Sequence, residues 1–165
     1  LVFADTPGWG EAMAALAGRD RPLPDELVDG LVKVLGRWKG SWAARPVAVV
    51  PMPSRRYPVR IGDLASRIAA VGKLPVLDLL EVQGPPPPAD TAARPRVEHL
   101  LGSLSVRADA ADVCTGAGFG SGLPDGPLLV VDDTYRSGWT MTVAAALLRQ
   151  AGATSVVPLV VHQLP

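Results

Sequence analysis

The chain has one cysteine and two histidines in 165 residues. A lone thiol, Cys114, excludes an internal disulfide, and with His99 and His162 far apart there is no cluster of soft ligands for a structural metal. All three are expected to be ordinary structural residues. Also missing are any apolar run near the ~20 residues that a helical membrane span needs and any basic-then-apolar leader, so the expected location is the cytoplasm, with no membrane contact. No internal repeat is found. Net charge is absent too, since 16 basic residues balance 16 acidic ones. Apolar residues make up 48% and charged ones 19%, the composition of a globular protein. A chain of this length suffices for one domain and a small appendage, with about 70% of the unfolded surface buried. It opens on LVFADTPGWG, without an initiator Met, and the expectation is a module cut from a longer protein.

The charge is balanced only in sum. Residues 31–73 hold nine basic residues (Lys33, Arg37, Lys39, Arg45, Arg55, Arg56, Arg60, Arg67 and Lys73) against one acid, Asp63, a local excess of +8. Such a segment suits a nucleic-acid surface, a phosphate site or a solvated helix face, and composition alone does not choose among them.

Along the chain, residues 9–17 and 24–39 carry helical patterns. In the second, Asp25 and Glu26 follow Pro24 as an acidic start, Leu27, Leu31, Val34, Leu35 and Trp38 recur at helical spacing, and basic residues suit the far end. VAVVPMP reads as a buried parallel strand, SRRYP as a loop, residues 59–71 as a helix with Ile61, Leu64 and Ile68 inward, and PVLDLLEV (75–82) as a second strand. The stretch GPPPPADTAARP (84–95) reads as a long loop, because proline lacks a donor and blocks the helical ladder. Weak order follows in RVEHLLGSLSV, then a flexible connector, TGAGFGSGLPDG (115–126). The chain ends on strand PLLVVDD, loop TYRSG, helix WTMTVAAALLRQAGA with Gly152 at its cap, and strand SVVPLVV. This order predicts an α/β fold: three layers, a mostly parallel twisted sheet with helices on both faces. Residues 1–44 are expected to form an N-terminal helical linker segment and residues 45–165 the domain proper.

Chemistry concentrates where strand PLLVVDD ends. Ligands of doubly wound sheets bind beyond the carboxyl ends of strands. The loop RSGWT offers the Ser137 and Thr140 hydroxyls, a glycine that lets backbone approach closely, and open amides of the next helix, which together suit a phosphate. Asp132 and Asp133, acceptors when ionised, would repel a bare phosphate and so suit a donor-rich part of the same ligand, such as a ribose diol or waters around a magnesium ion. The implied ligand is a sugar phosphate.

LLVVDDTYRSGWT, residues 128–140, resembles the phosphoribosyl diphosphate (PRPP) motif of type I phosphoribosyltransferases, with Ser137 for the usual threonine. The resemblance implies that fold, with a flexible hood loop, here the proline-rich stretch. It implies ribose binding by Asp132 and Asp133, 5-phosphate binding by Arg136, Ser137, Gly138, Trp139 and Thr140, and pyrophosphate binding by Ser54, Arg55 and Arg56. It also implies PRPP or a nucleoside phosphate as ligand, magnesium entering with PRPP and held through water by Asp132 and Asp133, and no prosthetic group. No side chain is assigned as catalytic, since none need attack the sugar. A homodimer is one assembly such a domain could form. In ComF-like members a segment Arg-x-x-Asn-Leu-x-Gly-Ala-Phe follows the hood; RVEHLLGSL is similar, with His99 and Leu104 as departures. Arg136 stands where purine-salvage members carry an aspartate that serves the base, which argues against 6-oxopurine salvage. Trp139 stands where a small residue is usual, so it either narrows the pocket, stacks on a base, or packs at the helix start. The hood offers only Asp90, Thr91 and Arg94 for recognising a base.

VVPMPSRR, the helix ending in GKLP, and DDxxxSGWTMTVAAxLLRxAGA resemble the phosphoribosyltransferase-like tail at the C-terminus of RecQ-type ATP-dependent DNA helicases of high-GC bacteria, and DTPGWG and VLGRW resemble the segment before it. Neither GxxxxGK[ST] nor a DExH box is present, so the helicase motor itself is not in this chain. The expectation is a domain of such a helicase that binds PRPP or a ribose-phosphate or nucleotide ligand, with transferase activity left open. This links it to DNA repair or recombination and to nucleotide metabolism, and to DNA through the parent helicase. The alternatives are a DNA-binding accessory module that uses residues 31–73, a regulator that senses the ligand, and an active free-standing ComF-like transferase.

Overall fold

A computed structural model of the chain describes residues 9–38, 40–85 and 91–163. Its centre is β4 (Pro127–Tyr135), flanked by β1 (Ala48–Pro51) and β5 (Ser155–Gln163), both parallel to it. The apolar runs AVV and LLVV are buried on both faces, as central parallel strands must be. Val76 touches the outer side of β1 through one parallel bridge at Val49.

Alternation along β4 sorts the core in two. Leu128 and Val130 face a cluster built with α4 (Ala93–Ser103), α5 (Ala110–Gly116), α6 (Trp139–Gln150) and the antiparallel pair β2 (Leu80–Val82) and β3 (Leu104–Val106). Leu129 and Val131 face the opposite cluster, built with α1 (Trp9–Ala14), α2 (Asp25–Trp38) and α3 (Pro58–Gly72). This is the expected three-layer α/β architecture. Cys114 lies in the first core as a free, fully buried thiol whose pKa burial pushes up.

The N-terminal helices share a core with α3 and the sheet through Leu23, Leu27, Val28 and Leu31. The segment between residues 16 and 25 is also tied to α3 by polar contacts. Asp20 accepts from the amides of Val59 (3.0 Å) and Arg60 (2.9 Å), capping the first turn of α3, while Arg67 donates to Leu23 O and Asp25.

Four expectations change. Strand PLLVVDD runs two residues further, because Thr134 and Tyr135 pair with His162 and Gln163 of β5. The stretch 75–82 leaves the parallel sheet after its bridge, and only Leu80–Val82 is strand, paired antiparallel with β3. Within 84–95, helix begins at Ala93, with Pro95 in the first turn, where a missing amide costs no ladder bond; the hood residues 86–90, Asp90 among them, lie outside the described residues. Finally, α5 takes the first two residues of the connector 115–126.

Candidate functional site

Because β1 and β4 are parallel and paired at Pro51 and Val131, the segments after both leave the same end of the sheet. β4 ends at Tyr135, the chain turns through Arg136 and Ser137, and Gly138 takes the left-handed conformation (φ 78°) that starts α6. A Cβ there would lie 2.6 Å from the Tyr135 hydroxyl, so both the backbone angle and the space call for glycine. Gly138 caps α6 without a side-chain hydrogen bond, which leaves the first-turn amides open toward the loop.

These residues line a cup of about 150 Å³. Asp132, Arg136, Ser137, Gly138 and Thr140 stand around it, with Arg96 of α4 on the facing side. Arg96, which also lines the cup, donates to the carbonyl of Thr91, just before its own helix. Arginine, hydroxyls and helix amides together suit an anion, and Asp132 adds an acceptor to the same lining.

Asp132 and Asp133 have different surroundings. As neighbours in a strand they point to opposite faces. Asp132, on the α6 side, is half-buried, and its Oδ1 accepts from the Asp133 amide at 2.9 Å. Burial, and the charge of Asp133, push its pKa up to about 7. Asp133, on the α3 side, receives Arg60 Nη1 at 2.7 Å with both side chains buried. Arg60 also donates to the carbonyls of Leu16 (2.8 Å) and Arg19 and lies under the Tyr57 ring, 4.1 Å from its centroid.

The remaining expected residues stand outside the cup. Trp139 opens α6 and is 37% exposed, away from the lining. In the turn after β1, Ser54 Oγ accepts from the Tyr57 amide (2.9 Å), Arg55 donates to Val82 O (2.7 Å), and Arg56 lies 5.3 Å from the Tyr57 centroid. That turn sits at the same sheet end, with Arg55 and Arg56 exposed. Two residues that shape the site were not anticipated in a role there. Arg96 opens the motif RVEHLLGSL, which was its available signal, and Arg60 is buried beneath the acidic pair.

Magnesium fits this donor set only in a limited way. Among the described residues no three carboxylate, histidine or cysteine side chains gather. Among the described residues Asp132 is the one acid on the cup, and Asp133 is committed to Arg60. One carboxylate suits an ion that keeps its waters and arrives on a diphosphate.

No protein-family model matches the chain, and no curated protein is similar to it in sequence. Solved structures do match. A purine phosphoribosyltransferase from Pyrococcus horikoshii Ot3 superposes with a TM-score of 0.50 at 15% identity, over 88% of this chain and 80% of that one. An orotate phosphoribosyltransferase from Aeropyrum pernix gives 0.45 at 18% identity, over 84% and 70%. The glutamine PRPP amidotransferase from B. subtilis, complexed with ADP and GMP, gives 0.48 at 19% identity over 82% of this chain, which spans only 26% of that protein. The likeness to the Pyrococcus horikoshii enzyme, together with the parallel sheet flanked by helices, defines the fold: an α/β domain of the type I phosphoribosyltransferase fold. Among the described residues no helix is long and apolar enough to cross a membrane.

Proposed function

We propose that this domain binds the ribose-phosphate end of PRPP or a nucleotide in the cup between β4 and α6. The single observation that carries the reading is the convergence of Asp132, Ser137, Thr140 and the open amides of α6 on one small hollow at the carboxyl end of the sheet. The phosphate is held by Arg136, Ser137, Gly138, Thr140 and the open first-turn amides of α6, with Arg96 in the same lining, and the ribose hydroxyls donate to Asp132. Asp133 acts one step back, holding β4 against Arg60. Ser54, Arg55 and Arg56 serve the pyrophosphate side, where the exposed arginines suit an incoming anion. Magnesium, when brought in by PRPP, would neutralise the diphosphate leaving group, with Asp132 as its protein partner through water.

We infer further that the domain is the C-terminal part of a RecQ-type helicase, which the likeness of DDxxxSGWTMTVAAxLLRxAGA supports. A second role, contact with DNA through residues 31–73, is favoured by the exposure of Lys33, Arg37, Arg45, Arg55 and Arg56. It is narrowed by the internal pairing of Arg60 with Asp133 and of Arg67 with Asp25 and Asp63. Calorimetric titration with PRPP, with and without magnesium, tests the main reading. Saturable binding that magnesium strengthens is expected, and no heat under either condition would refute it.

A further inference from the structure

A second hollow, of about 340 Å³, adjoins the cup and shares Tyr135, Gly138, Met141 and Val160 with it. Its character is different. Where the cup is ringed by hydroxyls and arginines, this hollow is walled by Trp38, Pro158 and Leu159. It lies along β5, an outer strand of the three-stranded sheet. Pro158 takes a donor out of that edge, which disfavours a further β-strand as its occupant. Flat apolar surface fits better. Trp38, the last residue of α2, is 38% exposed at the hollow, and Lys33 and Arg37 are exposed on the same helix.

A terminal sugar phosphate would fill the cup and leave this neighbour unused. A phosphate esterified on its outer side would instead continue past Gly138, one of the residues the two hollows share, into the second hollow. We propose that cup and hollow together hold successive nucleotides of a single-stranded nucleic acid, with a phosphodiester at Ser137–Thr140 and the adjacent base stacked on Trp38. The proposal rests on the cup being a phosphate site. A platform with few hydrogen-bonding groups accepts any base, and Lys33 and Arg37, exposed on the helix that ends in Trp38, supply charge for further phosphates, the combination that sequence-tolerant single-strand binders use.

The test combines two ligands and two variants of the intact chain. Ribose 5-phosphate binding is measured by calorimetry, and binding of a fluorescently labelled oligodeoxythymidine by anisotropy. Ribose 5-phosphate is expected to bind and to displace the oligonucleotide. Trp38→Ala is expected to weaken the oligonucleotide about tenfold while sparing ribose 5-phosphate, and Trp38→Phe, which keeps a stacking ring, to retain most of the affinity. The proposal is overturned if ribose 5-phosphate binds without displacing the oligonucleotide, if Trp38→Ala weakens neither ligand, or if duplex DNA of the same length binds as tightly as the single strand. Failure of ribose 5-phosphate itself to bind would remove the phosphate site, and this proposal with it.

Discussion

Arg60 Nη1 stands 2.7 Å from Asp133 Oδ2, at 3% and 8% side-chain exposure, so one acid of the Asp132–Asp133 pair is turned from the cup and locked against α3. The same guanidinium reaches the carbonyls of Leu16 and Arg19, so β4, α3 and the N-terminal segment meet at a single side chain.

Removing one partner of this pair strands a buried charge. Asp133→Asn and Arg60→Met are each expected to cost about 3–5 kcal/mol in urea unfolding, and the Arg60→Met/Asp133→Leu double variant to recover a large part of that. A loss below about 1 kcal/mol for both single variants would show that the pair is solvated in solution.

Asp132 carries the pH dependence. Its folded pKa of about 7 lies above the ordinary 3.8, so the native state holds a proton that the unfolded chain releases. The stability it contributes is full below the unfolded pKa and is lost as pH rises toward 7. Asp132→Asn should therefore change the melting temperature little near pH 4 and raise it increasingly up to a plateau above pH 7. Ligand hydroxyls need the ionised form, so affinity for ribose 5-phosphate should rise about tenfold from pH 6 to pH 8. Part of that rise belongs to the phosphate, whose second pKa is about 6. The portion that Asp132→Asn abolishes belongs to the carboxylate, and identical profiles for both proteins would rule the carboxylate out.

Gly138 is the most exacting backbone position in the loop. Gly138→Ala should destabilise the fold by about 1–2 kcal/mol, since φ is positive there, and should abolish measurable phosphate binding as Tyr135 and the loop are pushed apart. Gly122, with open space around it, is the control, and Gly122→Ala should stay within about 0.5 kcal/mol.

Much of this arrangement is written locally. The apolar runs of β1, β4 and β5, Pro58 opening α3 and Gly152 closing α6 mark their elements through side-chain periodicity and backbone preference, which need no distant partner. What depends on partners was hidden. Thr134 and Tyr135 look like loop until β5 pairs with them, and residues 75–79 look like strand until the chain turns away after Val76. Arg60 reads as one more surface cation in a basic segment, although its spacing from Leu64 and Ile68 places it on the buried face of α3. Its partner lies 73 residues away in sequence. The motif located the loop that lines the cup, but adjacent lettering concealed that its two aspartates face opposite sides of a strand.

The cup as a phosphoribosyl site is tested most directly by adding ribose 5-phosphate to isotopically labelled protein and following backbone amide resonances by NMR. Saturable shifts concentrated at Ser137 to Met141, with the Asp132 side-chain carboxyl signal moving in step, are the expected result. Shifts scattered over the exposed basic residues of 31–73, with Ser137 to Met141 unmoved, would contradict it.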